Sequence, residues 1–199
     1  MPPIIADAEE HFRQLTPPAD PLLKELEAEA AREGIPIVGP VVGRLLEILA
    51  AGAERLLELG TATGYATLHL ARGGRGRVTT VERDASLAAR ARENLARAGL
   101  EERVDVVCAE ALAWLAGQEG PFDFVFFDIE KADYAAALAA CRRLVPPGGL
   151  LVADNTAFPD AVPFQRALHG DPGWRAVSLL AFLPGHRPEK DGLTLARRR

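Results

Sequence analysis

Two stretches of the chain decide its fold: Phe122-Asp-Phe-Val-Phe-Phe-Asp128-Ile-Glu-Lys131 and Gly149-Leu-Leu-Val-Ala-Asp154-Asn155. Each is a short apolar run that ends in polar residues, a pattern typical of a buried strand in a parallel sheet. The carboxyl ends of parallel strands share one edge of the sheet, and open α/β sheets bind their ligands at that edge. We therefore expect the polar residues that end the two runs to converge on one site.

The side chains expected at this edge define an all-oxygen site. Asp128 and Asp154 supply carboxylates and Asn155 supplies an amide oxygen. Such a set suits a hard divalent cation such as Mg²⁺, with Mn²⁺ and Ca²⁺ as alternatives. Lys131 follows the first carboxylate by three residues and places an amine beside the cation. The arrangement indicates metal-assisted deprotonation of a substrate hydroxyl.

Strand-like and helix-like segments alternate through the centre of the chain. Such alternation predicts a doubly wound α/β fold, with a mostly parallel sheet and right-handed crossovers. The last two strands have no helix between them, which predicts a closing antiparallel hairpin around a loop over 183–192. The predicted strands are Arg55–Leu59, Arg77–Glu82, Arg103–Cys108, Phe122–Asp128, Leu150–Asp154, Trp174–Phe182 and Leu193–Arg198, and the helices between them are Tyr65–Arg72, Ser86–Ala98, Glu110–Leu115, Ala132–Val145 and Ala157–Leu168.

The segment before the first strand is predicted to form a helical cap. Helices are predicted at Ile4–Leu15, Pro21–Arg32 and Val41–Ala51, and the prolines within 16–21 separate the first from the second. A chain of 199 residues has room for one well-packed domain. We predict a single domain over 1–199, with the cap at 1–52 and the sheet core at 53–199.

Composition and charge exclude several classes of protein. The formal charge of −5 argues against a nucleic-acid partner, because surfaces that bind nucleic acid are usually basic. No apolar stretch has the length of a membrane span, and the N-terminus lacks a signal-peptide core. Cys108 and Cys141 are too few for a disulfide framework or a zinc site. We expect a cytoplasmic protein with reduced thiols, no membrane partner and a homodimeric assembly.

A turn that contains glycines follows the first predicted strand, in Glu58-Leu-Gly60-Thr61-Ala-Thr-Gly64-Tyr65. Gly60 and Gly64 allow a tight turn and a close approach of the backbone to a ligand. Glu58 can accept hydrogen bonds from a cationic amino group. Ala62 replaces the central glycine of the dinucleotide fingerprint, which argues against a nicotinamide-dependent dehydrogenase.

Glu82 ends the second predicted strand. In nucleotide-binding α/β folds an acidic side chain at this place binds both hydroxyls of a ribose. The loop Ala109-Glu110-Ala111 after the third strand would lie beside the adenine end of a nucleoside ligand. The glycine turn and Glu82 together predict a nucleoside site next to the metal site.

Taken in order, these motifs resemble the cation-dependent O-methyltransferases, the group that contains catechol and caffeoyl-CoA O-methyltransferases and many bacterial relatives. The resemblance runs from about Gly34 to Arg198 and extends through Asp191-Gly-Leu-Thr-Leu-Ala-Arg197. It implies a Rossmann-like methyltransferase domain that binds S-adenosylmethionine and a divalent cation. It also implies a small phenolic substrate, catechol-like and with vicinal hydroxyls.

The resemblance further implies the role of each site residue. Asp128, Asp154 and Asn155 would hold the metal, and Lys131 would be the general base. The S-adenosylmethionine site would comprise Val38, Glu58, Gly60, Thr61, Gly64, Ala66, Glu82, Ala111 and Glu130.

Several departures from the family pattern concern cofactor contacts and the substrate. Ala66 stands where a serine is common, which removes one hydrogen bond to the cofactor carboxylate, and Glu130 stands where aspartate is frequent. The loop before Asp191 is unusual, and its His186-Arg187 pair can overhang the site. Two alternatives stay open: a metal-independent methyltransferase of this fold acting on nitrogen or carbon, and a non-catalytic module that binds S-adenosylmethionine.

Overall fold

A seven-stranded sheet forms the centre of the computed structural model, which describes residues 5–199. Its first five strands pair in parallel, and the last two close one side as an antiparallel hairpin. The strands are β1 Arg55–Leu59, β2 Arg77–Glu82, β3 Val104–Cys108, β4 Phe124–Phe127, β5 Leu150–Ala153, β6 Trp174–Phe182 and β7 Lys190–Arg198, in the spatial order β3-β2-β1-β4-β5-β7-β6. The predicted α/β class and the C-terminal hairpin are thus confirmed.

Eight α-helices lie in the described part of the chain. Three precede the first strand and form the predicted N-terminal helical cap. Residues 1–4 of the predicted cap, which include Ile4 at the expected start of the first helix, lie outside the described residues, and the observed helix begins at Ala8. The helices are α1 Ala8–Gln14, α2 Pro21–Glu33, α3 Gly39–Leu49, α4 Tyr65–Gly73, α5 Ala85–Arg97, α6 Ala111–Ala116, α7 Tyr134–Leu144 and α8 Val162–His169. None of the helices within 5–199 is long and apolar enough to cross a membrane.

The sheet is covered by helices on both faces. Successive side chains of a strand point to opposite faces, and the adjacent buried leucines Leu56 and Leu57 of β1 show the result. Leu56 packs in one apolar cluster, with side chains of α2, α3, α4 and α5, whereas Leu57 packs in a second, with side chains of α6, α7 and α8. Strands buried on both faces read as continuous apolar runs, which is why β4 and β5 were recognisable in the sequence.

A buried tyrosine ties together the strand ends that carry the predicted site. The Tyr134 hydroxyl, at the start of α7, lies 3.0 Å from the carbonyl oxygen of Phe127 and 3.1 Å from that of Asp154. Phe127 is the last residue of β4 and Asp154 directly follows β5. The two loops that leave these strands therefore start from a fixed separation.

The hairpin formed by β6 and β7 is longer than the sequence predicts. β7 begins at Lys190 rather than Leu193, and its ladder with β6 continues to the pair Phe182 and Lys190. The intervening loop is therefore 183–189, and Asp191 lies within the strand with its side chain fully buried. The Asp-Gly pair at 191–192 reads as a turn from its composition, but its backbone is used for strand pairing.

The last helix also begins later than predicted. A 3₁₀ turn at Pro159–Ala161 precedes α8, which starts at Val162 instead of Ala157. The residue before a proline is disfavoured in the helical conformation, and Phe158 has an extended ψ of 142°. The expected helix is therefore shortened at its start.

Helix α1 is attached to the rest of the protein through charged side chains. It has no buried residue. Arg13 places two guanidinium nitrogens 2.6 and 2.8 Å from the carboxylate oxygens of Glu189, and Lys190 Nζ lies 2.6 Å from Glu9 Oε1. These ion pairs join α1 to the end of the loop 183–189.

Candidate active site

A cavity of about 490 Å³ opens at the carboxyl ends of β1, β2, β4 and β5. This is the edge at which ligands bind in open α/β sheets, and the volume is in the range of small-molecule and cofactor sites. The sequence-predicted residues that line it are Gly60, Glu82, Ala111, Asp128, Glu130, Lys131, Asp154 and Asn155. The cavity therefore joins the predicted nucleoside end and the predicted metal end in one space.

Gly60 allows the turn after β1 to pass close to the end of β4. Its φ of +95° lies in the left-handed region, where a side chain is strained. A Cβ atom at this position would lie 2.0 Å from the carbonyl oxygen of Asp128. Only glycine fits here, and the cavity wall at this point is bare backbone.

Glu82 holds the backbone around the same turn. Its carboxylate accepts a hydrogen bond from Ala62 N at 2.9 Å through one oxygen and from Asp84 N at 2.9 Å through the other. Ala62 has a φ of +46°, an uncommon value for a residue with a side chain. Glu82 lines the cavity and is 8% exposed. It is thus placed at the end of β2 where a ribose diol could reach it.

Glu58 lies beneath the cavity, fully buried in the sheet. Its Oε2 atom accepts hydrogen bonds from the hydroxyls of Thr67 and Thr80, the latter at 2.6 Å. Its Oε1 atom has no hydrogen-bond partner within the described residues. Burial outweighs these hydrogen bonds and raises the pKa of Glu58 to about 8. The raised pKa favours the protonated form of Glu58, and its Oε1 atom is free to take part in one further hydrogen bond.

The remaining predicted cofactor residues divide into two groups. Glu130 lines the cavity from its rim and pairs with Arg83 at 2.8 Å. The others are buried and do not line the cavity; these are Val38, Thr61, Gly64 and Ala66. Ile37 and Ala62, the chain neighbours of Val38 and Thr61, line the cavity in place of those two residues.

Asp128 and Lys131 form an ion pair at the metal end of the cavity. Lys131 Nζ lies 3.1 Å from Asp128 Oδ1 and 5.8 Å from the centre of the Tyr134 ring. Burial and the neighbouring Asp154 charge raise the pKa of Asp128 to about 6, against the opposing effect of Lys131. Two carboxylates close enough to affect each other's ionisation are stabilised by a shared cation.

Asp154 and Asn155 are fixed by a dense set of hydrogen bonds. Asp154 is 1% exposed, and its Oδ1 accepts from Asn155 N at 2.8 Å. Asn155 has a φ of +51°, which asparagine tolerates better than most residues. Its amide nitrogen donates to Asp191 Oδ2 at 2.7 Å. The amide group is thereby held in one orientation at the cavity wall.

His186 and Arg187, the pair expected to overhang the site, both line the cavity, but the sequence did not predict that His186 contacts Asp154. His186 is 3% exposed, and its Nε2 lies 2.9 Å from Asp154 Oδ2. Burial alone lowers the pKa of His186, but the hydrogen bond to Asp154 and its charge outweigh burial and raise it to about 9. His186 and Asp154 are 32 residues apart and obey no spacing rule. Only the position of His186 in the unusual loop before Asp191 indicated a place near the site.

The residues at this end of the cavity fit a hard cation. Among residues 5–199 no three His, Cys, Asp or Glu side chains lie together as a metal cluster. A protein site for Mg²⁺ is typically built from one or two carboxylates and several waters. Asp128, Asp154 and the Asn155 amide supply that donor set at a cavity open to solvent. These three residues are the ones that could hold the cation.

Comparisons with known proteins place this geometry in a family. A family model described as O-methyltransferase matches residues 15–168. The catechol O-methyltransferase of Niastella koreensis is 39% identical over 135 residues, 63% of this chain and 61% of that protein. That of Mycobacterium tuberculosis is 44% identical over 120 residues, 57% of this chain and 54% of that protein. The matched stretches thus span less than two thirds of these two relatives.

A solved structure covers more of the chain. The structure of the O-methyltransferase from Bacillus cereus in complex with SAH (S-adenosylhomocysteine) superposes with a TM-score of 0.85, at 29% identity, over 96% of each chain. The doubly wound sheet with its antiparallel hairpin and its cavity at the strand ends therefore defines a Rossmann-like methyltransferase. Since the family model matches well over half of the chain, the protein belongs to the S-adenosylmethionine-dependent O-methyltransferase family.

Proposed function

We propose that this protein transfers the methyl group of S-adenosylmethionine to a hydroxyl of a catechol-like phenol and that it requires a divalent cation. One observation carries the proposal: a single cavity is lined by Gly60 and Glu82 at one end and by Asp128, Lys131 and Asp154 at the other. A methyl donor and a hydroxyl acceptor can therefore lie side by side. The two catechol O-methyltransferases among the relatives support the phenolic acceptor, and the Bacillus cereus structure in complex with SAH supports the methyl donor.

The donor end binds the nucleoside through backbone and acidic groups. Gly60 offers bare backbone, and Glu82 accepts from the ribose hydroxyls. Glu58 is buried behind this turn and would give up its proton as its free oxygen receives the methionine amino group. Ala111 and Glu130 line the same space. Val38, Thr61, Gly64 and Ala66 do not line the cavity and would act through the backbone that they position.

The acceptor end orients and deprotonates the phenol. Asp128, Asp154 and Asn155 would hold Mg²⁺, or Mn²⁺ or Ca²⁺, and the bound cation would stabilise the ionised hydroxyl as a Lewis acid. Lys131 Nζ, in its neutral amine form, accepts the hydroxyl proton and becomes the ammonium ion that pairs with Asp128. Holding both reactants in one cavity supplies alignment, which contributes much of the rate in such reactions.

The proposal also covers the oligomeric state and the cellular compartment of the enzyme. We infer a homodimer, because β6 is an edge strand whose apolar side chains Val177, Leu179 and Leu180 are exposed, and unpaired apolar edges are commonly covered by a partner. We also infer a cytoplasmic enzyme with no nucleic-acid partner. Cys108 and Cys141 are both free thiols, as a reducing compartment would leave them.

Removal of the metal tests the central claim. Methyl transfer to a panel of catechols should disappear in excess chelator and return on addition of Mg²⁺. Asp154→Asn keeps the size of the side chain and removes its charge, so it should abolish turnover while calorimetric binding of S-adenosylhomocysteine stays within about twofold of wild type. Full activity in chelator would instead favour a metal-independent methyltransferase. Absence of any S-adenosylhomocysteine binding would contradict the donor site itself.

A further inference from the structure

A second, smaller cavity adjoins the active-site cavity. It has a volume of about 190 Å³ and lies between α2, the segment 34–38 that joins α2 to α3, and the loop 183–189. Ile35, Ile37 and Arg187 line both this cavity and the active-site cavity. The two spaces therefore meet at these three residues, of which two are apolar and one is positively charged.

Arg187 differs from the other arginine and lysine side chains of the active-site lining, because it has no partner. Carboxylates outnumber basic side chains in that lining. Arg83 nevertheless pairs with Glu130 and Lys131 with Asp128, whereas the Arg187 guanidinium has no hydrogen-bond or ion-pair partner among residues 5–199. A guanidinium without a protein partner is available to an anionic group of a ligand.

Two carboxylates in the surroundings of Arg187 are engaged with other groups. Glu189, two residues further along the loop, binds the Arg13 guanidinium through both of its oxygens, at 2.6 and 2.8 Å. Glu27, which lines the smaller cavity together with Arg187, accepts a hydrogen bond from the Tyr65 hydroxyl at 2.6 Å. A ligand anion deep in the smaller cavity would be repelled by Glu27, so the favourable place for it is the boundary at Arg187.

The loop that carries Arg187 is held against the site on two sides. Gly185 contacts the start of α3 so closely that a Cβ atom on Gly39 would lie 2.5 Å from its carbonyl oxygen. On the other side, His186 Nε2 lies 2.9 Å from Asp154 Oδ2. Arg187 directly follows these two anchored residues, so its backbone is fixed next to the acceptor end of the cavity.

We propose that Arg187 binds a carboxylate carried by the methyl acceptor, and that the acceptor is therefore a dihydroxyphenyl carboxylic acid rather than a neutral or cationic catechol. The inference rests on the proposed function and names the substrate within it. The ring hydroxyls face the proposed metal ligands, Ile35 and Ile37 pack against the ring or its side chain, and the guanidinium donates two parallel hydrogen bonds to the carboxylate. Arg187 is thus a specificity-determining residue and takes no part in the chemical step.

A comparison of charged and neutral acceptors in the full-length enzyme tests this assignment. Methyl transfer to 3,4-dihydroxybenzoate, 3,4-dihydroxyphenylacetate and 3-(3,4-dihydroxyphenyl)propanoate is measured beside transfer to the primary amide of each acid, with saturating S-adenosylmethionine and Mg²⁺. The series varies the reach of the carboxylate from the ring. Each amide keeps the size of its acid and removes the charge, and differences in intrinsic reactivity cancel when the ratio of kcat/KM for acid and amide in a variant is divided by that in wild type.

Arg187→Gln removes the charge, and we expect it to lower this ratio by about 5–20-fold for the acid that fits best. The loss is smaller than that of a buried charge-assisted hydrogen bond, because Arg187 is exposed to solvent. It should appear in KM rather than in kcat, since the contact is the same in the ground state and in the transition state. Calorimetric binding of that acid to the complex with S-adenosylhomocysteine and Mg²⁺ should weaken by a similar factor.

Two further variants sharpen the test. Arg187→Glu reverses the charge and should make 2-(3,4-dihydroxyphenyl)ethylamine a better acceptor than the acids. Arg83→Gln is the matched control, because Arg83 is also an exposed arginine of the cavity lining but pairs with Glu130. Whatever this control does to the overall rate, its ratio for acid and amide should stay within about twofold of wild type, since Arg83 does not contact the acceptor.

Several results would overturn the assignment. Equal losses for acids and amides in Arg187→Gln, together with weaker calorimetric binding of S-adenosylhomocysteine, would mean that Arg187 contacts the carboxylate of the methyl donor. Catechol methylation in wild type with ratios that neither Arg187 variant changes, or with amides preferred to acids throughout, would overturn the inference alone and leave the proposed function standing. If wild type methylates no catechol, charged or neutral, the proposed function fails and this inference fails with it.

Discussion

Gly60 is the residue at which backbone geometry and the cavity are most directly linked. Its φ is +95°, and a Cβ atom added at this position would lie only 2.0 Å from the carbonyl oxygen of Asp128. Gly60→Ala should therefore destabilise the protein by more than the 1–2 kcal/mol that a left-handed residue costs, because β1 and β4 must separate. Thermal unfolding of the cofactor-free protein measures the change.

Gly52 provides the matched control for this substitution. Its φ is +90°, but a Cβ atom there would meet nothing within 4 Å. Gly52→Ala should show the cost of the backbone conformation alone. Equal loss of stability in both variants would contradict the steric role of Gly60.

Glu58 should give the protein a pH-dependent stability. Below its usual pKa of 4.5 the group is protonated in both folded and unfolded states. As the pH rises towards 8 the unfolded chain ionises while the folded protein, whose pKa for Glu58 is about 8, retains the proton, so folding becomes less favourable. The melting temperature of Glu58→Gln relative to wild type should therefore increase between pH 5 and pH 8.

The comparison is made in the absence of cofactor, with Glu54→Gln as the control for an exposed glutamate. Any constant cost of the glutamine amide cancels, because only the trend with pH is used. A difference between Glu58→Gln and wild type that does not vary with pH would show that Glu58 does not hold a proton in the folded protein.

Lys131 is expected to act as a base rather than as a positive charge. Arginine keeps the charge but does not lose its proton in the working range, so Lys131→Arg should lower kcat by roughly 10²–10⁴-fold, the usual worth of such a group. Binding of S-adenosylhomocysteine should be unchanged. Lys24→Arg on the exposed side of α2 is the control, and near wild-type turnover in Lys131→Arg would leave Lys131 with an electrostatic role only.

The elements with the strongest sequence patterns are those that the sequence predicted best. β1, β2, β4 and β5 are buried on both faces, so their apolar runs and polar ends are unmistakable, and the side chains that follow β4 and β5 were expected at one edge. The structure places Asp128, Lys131, Asp154 and Asn155 around one cavity there. Their chemical roles stay predictions.

The loop 183–189 shows why the rest of the site was beyond reach. Its conformation depends on contacts with α1 and α3, which are distant in sequence, so no local pattern reports where His186 points. The predicted start of β7 at Leu193 was wrong for a similar reason. Asp191 is followed by glycine, a pair that is common in turns, but its buried carboxylate accepts hydrogen bonds from the Asn155 amide and from the backbone amides of Ala157 and Gly192. Long-range partners thus override local preference.

The assembly of the whole molecule is expected to depend on the outer face of the hairpin. Leu180 on β6 is 80% exposed, and Val177 and Leu179 are about half exposed beside it. Leu180→Lys should convert a dimer to a monomer with little loss of thermal stability, because a charged side chain on an edge strand prevents pairing. Light scattering over a range of concentrations measures the mass. Ile48→Lys, at an exposed position on α3, should leave the dimer intact, and a wild type that is monomeric throughout would contradict the proposed assembly.

The position of β7 between β5 and β6 has a consequence for biosynthesis. β6 leaves the ribosome before β7, yet β7 alone connects it to the sheet. At translation rates of about 5–20 residues per second, synthesis of β7 is complete roughly one to three seconds after synthesis of β6. Helix α1 waits longer, since Arg13 meets Glu189 only after 176 further residues have been made. Strand β6 and helix α1 therefore both lack their partners until the last residues of β7 are made, which makes the end of synthesis the stage at which a chaperone would have most to protect.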